Sequence, residues 1–359
     1  MFDGAGKLKE QRFVKFTSDN ASGIAPEILD AIAKANHGMA TAYGDDEITK
    51  KLTATFAKLF ETDVTVFVVG TGTAANSLAL ASLTPPYGAV MAHHEAHIYD
   101  DECGAPEMFT AGAKIVGVDG AHGKIDPAAL KQTLKKFVAG NVHHVQPTSL
   151  SITQATEAGT VYQPGEISEL VAIARSRGLS VHMDGARFAN ALAGLNCSPA
   201  DISWKLGVDV LSFGATKNGA LGAEALVFFK PELAHGMAFR RKRAGHLISK
   251  MRFVSAQFEA YLQEGLWLEL AAHANAEAAY LAEGLAGLSE VTLRHPVQAN
   301  ELFVTLPDDK IAALRTAGAL FHPWPGPGDG EGRSSVRLVT CFATERTEID
   351  EFLGVLEGA

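Results

Sequence analysis

Between residues 64 and 229 short apolar runs alternate with amphipathic helical stretches, and this alternation constrains the fold more than any other feature of the chain. The runs lie at 64–69, 89–94, 114–118, 142–145, 179–183, 208–213 and 226–229. Their near-continuous apolar character predicts seven strands buried on both faces, the arrangement of a mostly parallel sheet between layers of helix. A chain of 359 residues with 47% hydrophobic content buries more than one small core. Two unequal units are therefore expected: residues 1–250 as an N-terminal arm and large α/β domain, and residues 251–359 as a linking helix and smaller C-terminal α/β domain.

Local signals place the remaining elements. Pro26 opens a helix to about residue 36 that carries Ile28, Leu29 and Ile32 on one side, and a second helix follows Tyr43-Gly44-Asp45-Asp46 through Phe60. Asp126-Pro127 and Gln163-Pro164 start two more. Residues 231–287 read as a long helical link, followed by strands at 301–306 and 336–340. The Pro/Gly-rich loop at 323–328 is surface punctuation.

Three strand ends carry chemistry. Lys217, in Leu211-Ser-Phe-Gly-Ala-Thr-Lys-Asn-Gly219, follows an apolar strand and is flanked by small residues, a setting in which an amine can form a Schiff base. The run beginning at Leu179 ends in Asp184 and Arg187, an acid and a cation where a pyridine ring needs a counter-ion. The run at 64–69 leads into Gly70-Thr71-Gly72-Thr73-Ala74-Ala75-Asn76, a glycine turn and helix start whose N–H groups and Thr hydroxyls suit a phosphate. A lysine, a ring-facing acid and a phosphate cradle in one chain point to pyridoxal phosphate. The glycine turn also fits a G-x-G-x-x-A dinucleotide fingerprint, with Glu95 as a ribose ligand, which keeps a nicotinamide oxidoreductase open.

A formal charge of −10 argues against a nucleic-acid or anionic-membrane partner, both of which need clustered cations. The basic run Arg240-Arg241-Lys242-Arg243 is the local exception: it reads as a solvated helix face, or as a phosphate clamp or subunit contact. Cys103, Cys197 and Cys341 form no C-x-x-C pair, the start Met1-Phe-Asp-Gly-Ala-Gly is not a secretory leader, and no apolar stretch approaches the ~20 residues of a membrane span. A cytoplasmic location without disulfides or a metal site is expected. Most of the 13 histidines, including the doublets at 93–94 and 143–144, read as structural.

Seven segments in order resemble the threonine aldolase family of fold-type I pyridoxal phosphate lyases: Tyr43-Gly-Asp-Asp46, Thr71-Gly-Thr-Ala-Ala-Asn76, Ala96-His-Ile-Tyr-Asp-Asp-Glu102, Gln154-Ala-Thr-Glu-Ala-Gly-Thr-Val-Tyr162, His182-Met-Asp-Gly-Ala-Arg187, the Lys217 segment and Ser335-Val-Arg-Leu-Val-Thr340. The likeness covers nearly the whole chain. It implies an aspartate-aminotransferase-like fold, retro-aldol cleavage of L-threonine, L-allo-threonine and related β-hydroxy-α-amino acids to glycine and an aldehyde, and a homotetramer built as a dimer of dimers. The L series follows from the fold type, since D-series enzymes resemble a barrel-shaped fold with a metal site.

The resemblance also implies roles. Lys217 would hold the cofactor aldehyde, Asp184 the pyridine nitrogen, Arg187 the ring hydroxyl and His97 the ring face. Thr71, Gly72 and Thr73 would hold the phosphate, with Arg243 as the added cation and Lys242 and Arg252 as other matches. Ser18 and Arg337 would grip the substrate carboxylate, and Tyr43 would lie near a subunit interface and the neighbouring site. Where other members carry a histidine this chain has Glu157, so His97 or Glu157 is the expected base. A different β-eliminating lyase or aminotransferase, and a non-catalytic binding protein on the same fold, are the remaining alternatives.

Overall fold

Strand order in the main sheet sets where its edges carry chemistry, and that order is β1-β7-β6-β5-β4-β2-β3. The computed structural model describes residues 14–326 and 328–358. The strands are β1 (Thr65–Val69), β2 (Gly88–His93), β3 (Lys114–Val118), β4 (Gln146–Thr153), β5 (Ser180–Gly185), β6 (Val210–Gly214) and β7 (Glu224–Phe228). Neighbours from β3 through β6 pair in parallel, and β7 runs antiparallel to both β6 and β1. The carboxyl ends of β1, β2, β4, β5 and β6 therefore open on one side of the sheet, the side on which ligands bind in open α/β folds.

One strand lies away from its expected place. Residues 142–145 form turns, and the fourth strand starts only at Gln146. Its polar residues Thr148, Ser149 and Ser151 hide it from a search for apolar runs. Pro147, which lacks an N–H, coincides with a register shift against Ala89 and Val90 of β2, a bulge that lets proline sit in an interior strand.

The helices are α1 (Pro26–Ala35), α2 (Glu47–Phe60), α3 (Gly72–Leu83), α4 (His97–Asp100), α5 (Ala105–Phe109), α6 (Pro127–Lys135), α7 (Pro164–Ser176), α8 (Phe188–Leu195), α9 (Met237–Arg243), α10 (Arg252–Leu262), α11 (Leu266–Ala286), α12 (Asp308–Thr316) and α13 (Arg346–Gly358). Their starts follow capping chemistry: the Asp46 side chain accepts from Thr49 N–H, and Gln163 and Glu166 form a capping box at α7. The expected continuous link at 231–287 is instead α9, α10 and α11. Gly236, Gly245 and Gly265 at φ +74°, +79° and +85° break it, a backbone region in which a side chain is strained.

Among the described residues two apolar cores are the largest, with smaller clusters beside them. In the larger, Phe213 of β6 packs edge-on to Phe56 of α2 at 5.4 Å and against Trp267 of α11 at 5.6 Å. Its replacement by alanine should cost about 3–5 kcal/mol. The second core lies under the antiparallel sheet β10 (His322–Pro323), β11 (Arg333–Val339), β9 (Glu301–Pro307), β8 (Thr292–Leu293), and includes Phe352 of α13 and Leu281 of α11. Packing does not divide the chain by a single cut near residue 250. Phe258 of α10 belongs to the first core, whereas Val14 and Phe16 belong to the second. Phe16 is held by Leu320 O and Val339 N–H, which brings the following residues, Ser18 and Asp19, to the seam between the sheets. The arm at 1–13 and residue 327 of the 323–328 loop fall outside the described residues.

Candidate active site

Strand β1 ends at Val69, and α3 begins three residues later with Thr71 as its N-cap, the hydroxyl accepting from Ala74 N–H at 3.2 Å. That leaves the first N–H groups of the helix without intrahelical partners. A Cβ added at Gly72 would meet nothing within 4 Å, so the helix end is open to a ligand. Gly70 N–H is taken by His246 Nδ1 at 3.3 Å. The helix end faces a cavity of about 300 Å³ that also receives Asp184, His97, Glu157, Arg187 and Lys217.

Lys217 stands in a short 3-10 turn after β6. Among the described residues its amine has no hydrogen bond and no ion pair within 4 Å. Asp184, at the end of β5, is buried; its Oδ1 accepts from Ala186 N–H at 3.0 Å and its Oδ2 from Asn76 Nδ2 at 2.7 Å. The same Asn76 nitrogen donates to Glu102 Oε1 at 2.9 Å, and that oxygen also meets His97 Nδ1 at 2.9 Å. The hydrogen bond to Glu102 raises the His97 imidazole above its ordinary pKa.

Glu157 is held from β2's side, where His97 N–H donates to its Oε1 at 2.7 Å, while Oε2 is buried without a partner among the described residues. Burial, aided by the Asp184 charge, pushes its carboxyl up to about 7. Glu224, at the start of β7, receives the Thr216 hydroxyl at 2.5 Å, and burial pushes it too up to about 7.

Arg187 is clamped by two carboxylates: Nε and Nη2 donate to Asp19 at 2.7 and 3.1 Å, and Nη1 lies 3.0 Å from Glu301. Burial works against the guanidinium, but the two carboxylates outweigh it and hold its pKa above the ordinary value. An outer cavity of about 510 Å³ adjoins the first, sharing Lys217, His97, Glu157 and Arg187, and adds Ser18, Arg337 and Trp324. The Arg337 guanidinium stacks on Trp324 at 4.7 Å and donates to Thr17 O at 3.2 Å, and its Nε is buried without a partner among the described residues. Ser18 caps the turn at Asp19 by accepting from Asn20 N–H at 3.1 Å.

Lys217, Asp184, His97, Glu157, Arg187, Thr71, Gly72 and Thr73 thus share the inner cavity, and Ser18 and Arg337 the outer one. Tyr43, Lys242, Arg243 and Arg252 enter neither. Lys242 stacks on the exposed Tyr43 ring at 5.1 Å, Arg243 is exposed at the end of α9, and Arg252 donates to Gly38 O at 3.2 Å. Within one chain the expected Arg243 contact with the phosphate cradle is therefore absent. Of the basic run, Arg241 is the member turned inward, onto Val68 O at 3.3 Å.

Sequence reasoning did not single out Asn76, Glu102, Glu224 or His246. Asn76 and Glu102 lie inside quoted segments, but a buried polar pair 26 residues apart has no local signature. A groove of about 620 Å³ between α1, α2 and α10 is larger than either cavity, but it lies away from the strand ends and carries Glu27, Asp30, Glu259, Glu264 and Glu269 against Lys34. Such a lining repels an anion. The dinucleotide alternative fails on topology. Its fingerprint needs β1 and β2 as adjacent parallel strands, whereas β1 pairs with β7 alone and β2 lies between β4 and β3. Glu95 lines the outer cavity.

Comparison with known proteins bears on the family and the fold. The beta-eliminating lyase family model matches residues 15–308. A low specificity L-threonine aldolase from a Pseudomonas species is 44% identical, with 94% of this chain and 95% of that protein covered. Another, from Pseudomonas aeruginosa, is 48% identical over 88% and 90% of the two chains. Among solved structures, Leishmania major threonine aldolase superposes with a TM-score of 0.90 at 31% identity, covering 96% of this chain and 98% of that one. Thermus thermophilus aspartate aminotransferase, at 15% identity and a TM-score of 0.68 over 95% of each chain, shares the fold. An aspartate-aminotransferase-like α/β fold, a matched family model over most of the length and close relatives covered almost end to end lead to one conclusion: the chain belongs to the beta-eliminating lyase family, in the company of the low specificity L-threonine aldolases.

Proposed function

We propose that this lyase binds pyridoxal 5′-phosphate and cleaves L-threonine, L-allo-threonine and related β-hydroxy-α-amino acids to glycine and an aldehyde. The observation that carries the reading is the meeting of the unpartnered Lys217 amine, the buried Asp184 carboxylate and the open N-terminus of α3 around one cavity of about 300 Å³. The fit to the cofactor is one of chemistry. The helix end offers free N–H groups to a phosphate, Asp184 offers a carboxylate to a ring nitrogen, and Lys217 offers an amine to an aldehyde. When bound, the cofactor supplies a sink for the electrons of the Cα–Cβ bond.

The remaining work falls to the chain. Arg337 and Ser18 in the outer cavity hold the substrate carboxylate, the guanidinium by its two-pronged geometry. His97 lines the cavity and would lie against the cofactor ring; its Nδ1 is committed to Glu102, which leaves Nε2 as the ring nitrogen outside that contact. Glu157 Oε2, free of partners and on a carboxyl near neutral pKa, takes the proton from the β-hydroxyl, with His97 Nε2 as the second candidate. Lys217 would hold the cofactor's aldehyde through its amine when no substrate is bound.

A homotetramer formed as a dimer of dimers, in which Tyr43 and the basic residues Lys242, Arg243 and Arg252 meet a neighbouring subunit, belongs to this reading. Its support is the exposed Met39, Tyr43 and Phe239 side chains around those cations. A cytoplasmic location fits three unpaired cysteines, and no described helix is long and apolar enough to cross a membrane. The test is to load purified protein with pyridoxal phosphate, add L-allo-threonine, and measure glycine and acetaldehyde. Borohydride should fix the cofactor to Lys217. Cofactor fixed to another lysine, or no aldehyde from a loaded protein, overturns the reading.

A further inference from the structure

Asn76 spends its amide in an unusual way. Its single nitrogen donates to two buried carboxylates, Asp184 at 2.7 Å and Glu102 at 2.9 Å, and Glu102 passes the contact on to His97 at 2.9 Å. Two carboxylates converging on one neutral donor, with no Lys or Arg in contact among the described residues, are expensive to bury, so such an arrangement persists where the charge has a use. Glu102 Oε2 and Asn76 Oδ1 are both buried without partners among the described residues, so the pair is not fully satisfied by the fold itself.

We propose that Asn76 and Glu102 are positioning residues that tie His97 to Asp184 as one proton-linked unit, so that a change of charge on the imidazole is felt at the carboxylate assigned to the cofactor ring nitrogen. The inference rests on the pyridoxal phosphate reading of the cavity. The charged groups facing His97 are Glu102 after its own helix, Glu157 from the loop after β4, Asp184 from β5 and Lys217 from the turn after β6. Of these only Glu102 touches the ring, through Nδ1, which fixes the ring plane and leaves Nε2 as the nitrogen that can exchange a proton in the cavity. The Asn76 link then carries the electrostatic effect across to Asp184 through two hydrogen bonds.

Substitutions separate charge from geometry. Glu102→Gln keeps an oxygen for His97 and Asn76 but removes the charge, whereas Glu102→Ala removes both. In cofactor-loaded protein with isotope-labelled histidine, the His97 resonance is identified by its loss in His97→Asn and titrated. Glu102→Gln should lower its midpoint by on the order of one pH unit, a roughly tenfold weaker hold on the proton. In the wild type the visible cofactor absorbance should step at the His97 midpoint, and in Asn76→Ser that step should shrink or separate from it. Should Asn76→Ser fail to fold, Glu102→Gln decides alone, because its absorbance step must move with the His97 midpoint. An unmoved His97 midpoint in Glu102→Gln, or an absorbance step indifferent to the His97 titration, overturns the proposal. Borohydride capture at Lys217 in the wild type, done first, checks the parent reading separately.

Discussion

The backbone N–H of His97 donates to Glu157 Oε1 at 2.7 Å, so one hydrogen bond ties together the two residues proposed as the base for the β-hydroxyl proton. It also orients Glu157, leaving Oε2 as the oxygen without a partner among the described residues. Because the donor is backbone, replacing the imidazole leaves the Glu157 anchor in place, and the two roles can be tested one at a time.

Glu157→Gln keeps an acceptor for that N–H and abolishes the basic oxygen. Cleavage of L-allo-threonine should slow by on the order of 10²–10⁴-fold while glycine affinity, read from the cofactor spectrum, is retained. Since the carboxyl must be ionised to accept a proton, wild-type kcat should rise with pH through about 7. Unchanged kcat in Glu157→Gln beside a large loss in a cofactor-loaded His97→Asn enzyme would move the base to His97.

Stability of the cofactor-free protein should depend on the two raised carboxyls. Glu157 and Glu224 bind protons up to about 7 when folded but near their ordinary 4.5 when unfolded. Between those values the folded state holds more protons than the unfolded, so stability falls as pH rises from about 4.5 to about 7 and then levels. The Glu157→Gln/Glu224→Gln protein should lose this slope and gain on the order of 1–3 kcal/mol above the window, measured by urea unfolding at several pH values. Parallel curves for the two proteins would refute the assignment.

Arg337→Lys keeps the charge and loses the planar fork that stacks on Trp324. A carboxylate grip worth about 1.5–3 kcal/mol predicts a KM for L-allo-threonine roughly ten- to a hundredfold higher with a smaller change in kcat. Steady-state kinetics on both parameters checks it, and an unaltered KM would send the carboxylate elsewhere in the outer cavity.

Asp184→Asn keeps one acceptor oxygen, enough for Ala186 N–H or Asn76 Nδ2 but not both, and removes the charge at the end of β5. The protein should still take up cofactor and show its colour, with turnover down by on the order of 10²-fold or more. Near-normal turnover would remove Asp184 from the electron-sink role.

What the sequence determined by itself is the part written in local periodicity and local chemistry. Apolar runs bounded by turn residues marked six of the seven strands of the main sheet. A strand followed by small or polar residues placed Thr71, Asp184 and Lys217 at carboxyl ends, because an apolar run must stop where the chain leaves the sheet. Strand β4 escaped, since Pro147 and its hydroxyl residues read as loop until a bulge against β2 accommodates them. Only the tertiary structure decided strand order, and with it everything made of neighbours. The antiparallel return of β7 sets Glu224 beside Thr216, the N-terminal turn sends Asp19 168 residues along the chain to Arg187, and α3 carries Asn76 between Asp184 and Glu102. Such pairings depend on which segments the topology brings close enough for their side chains to meet, and no window of sequence holds that information.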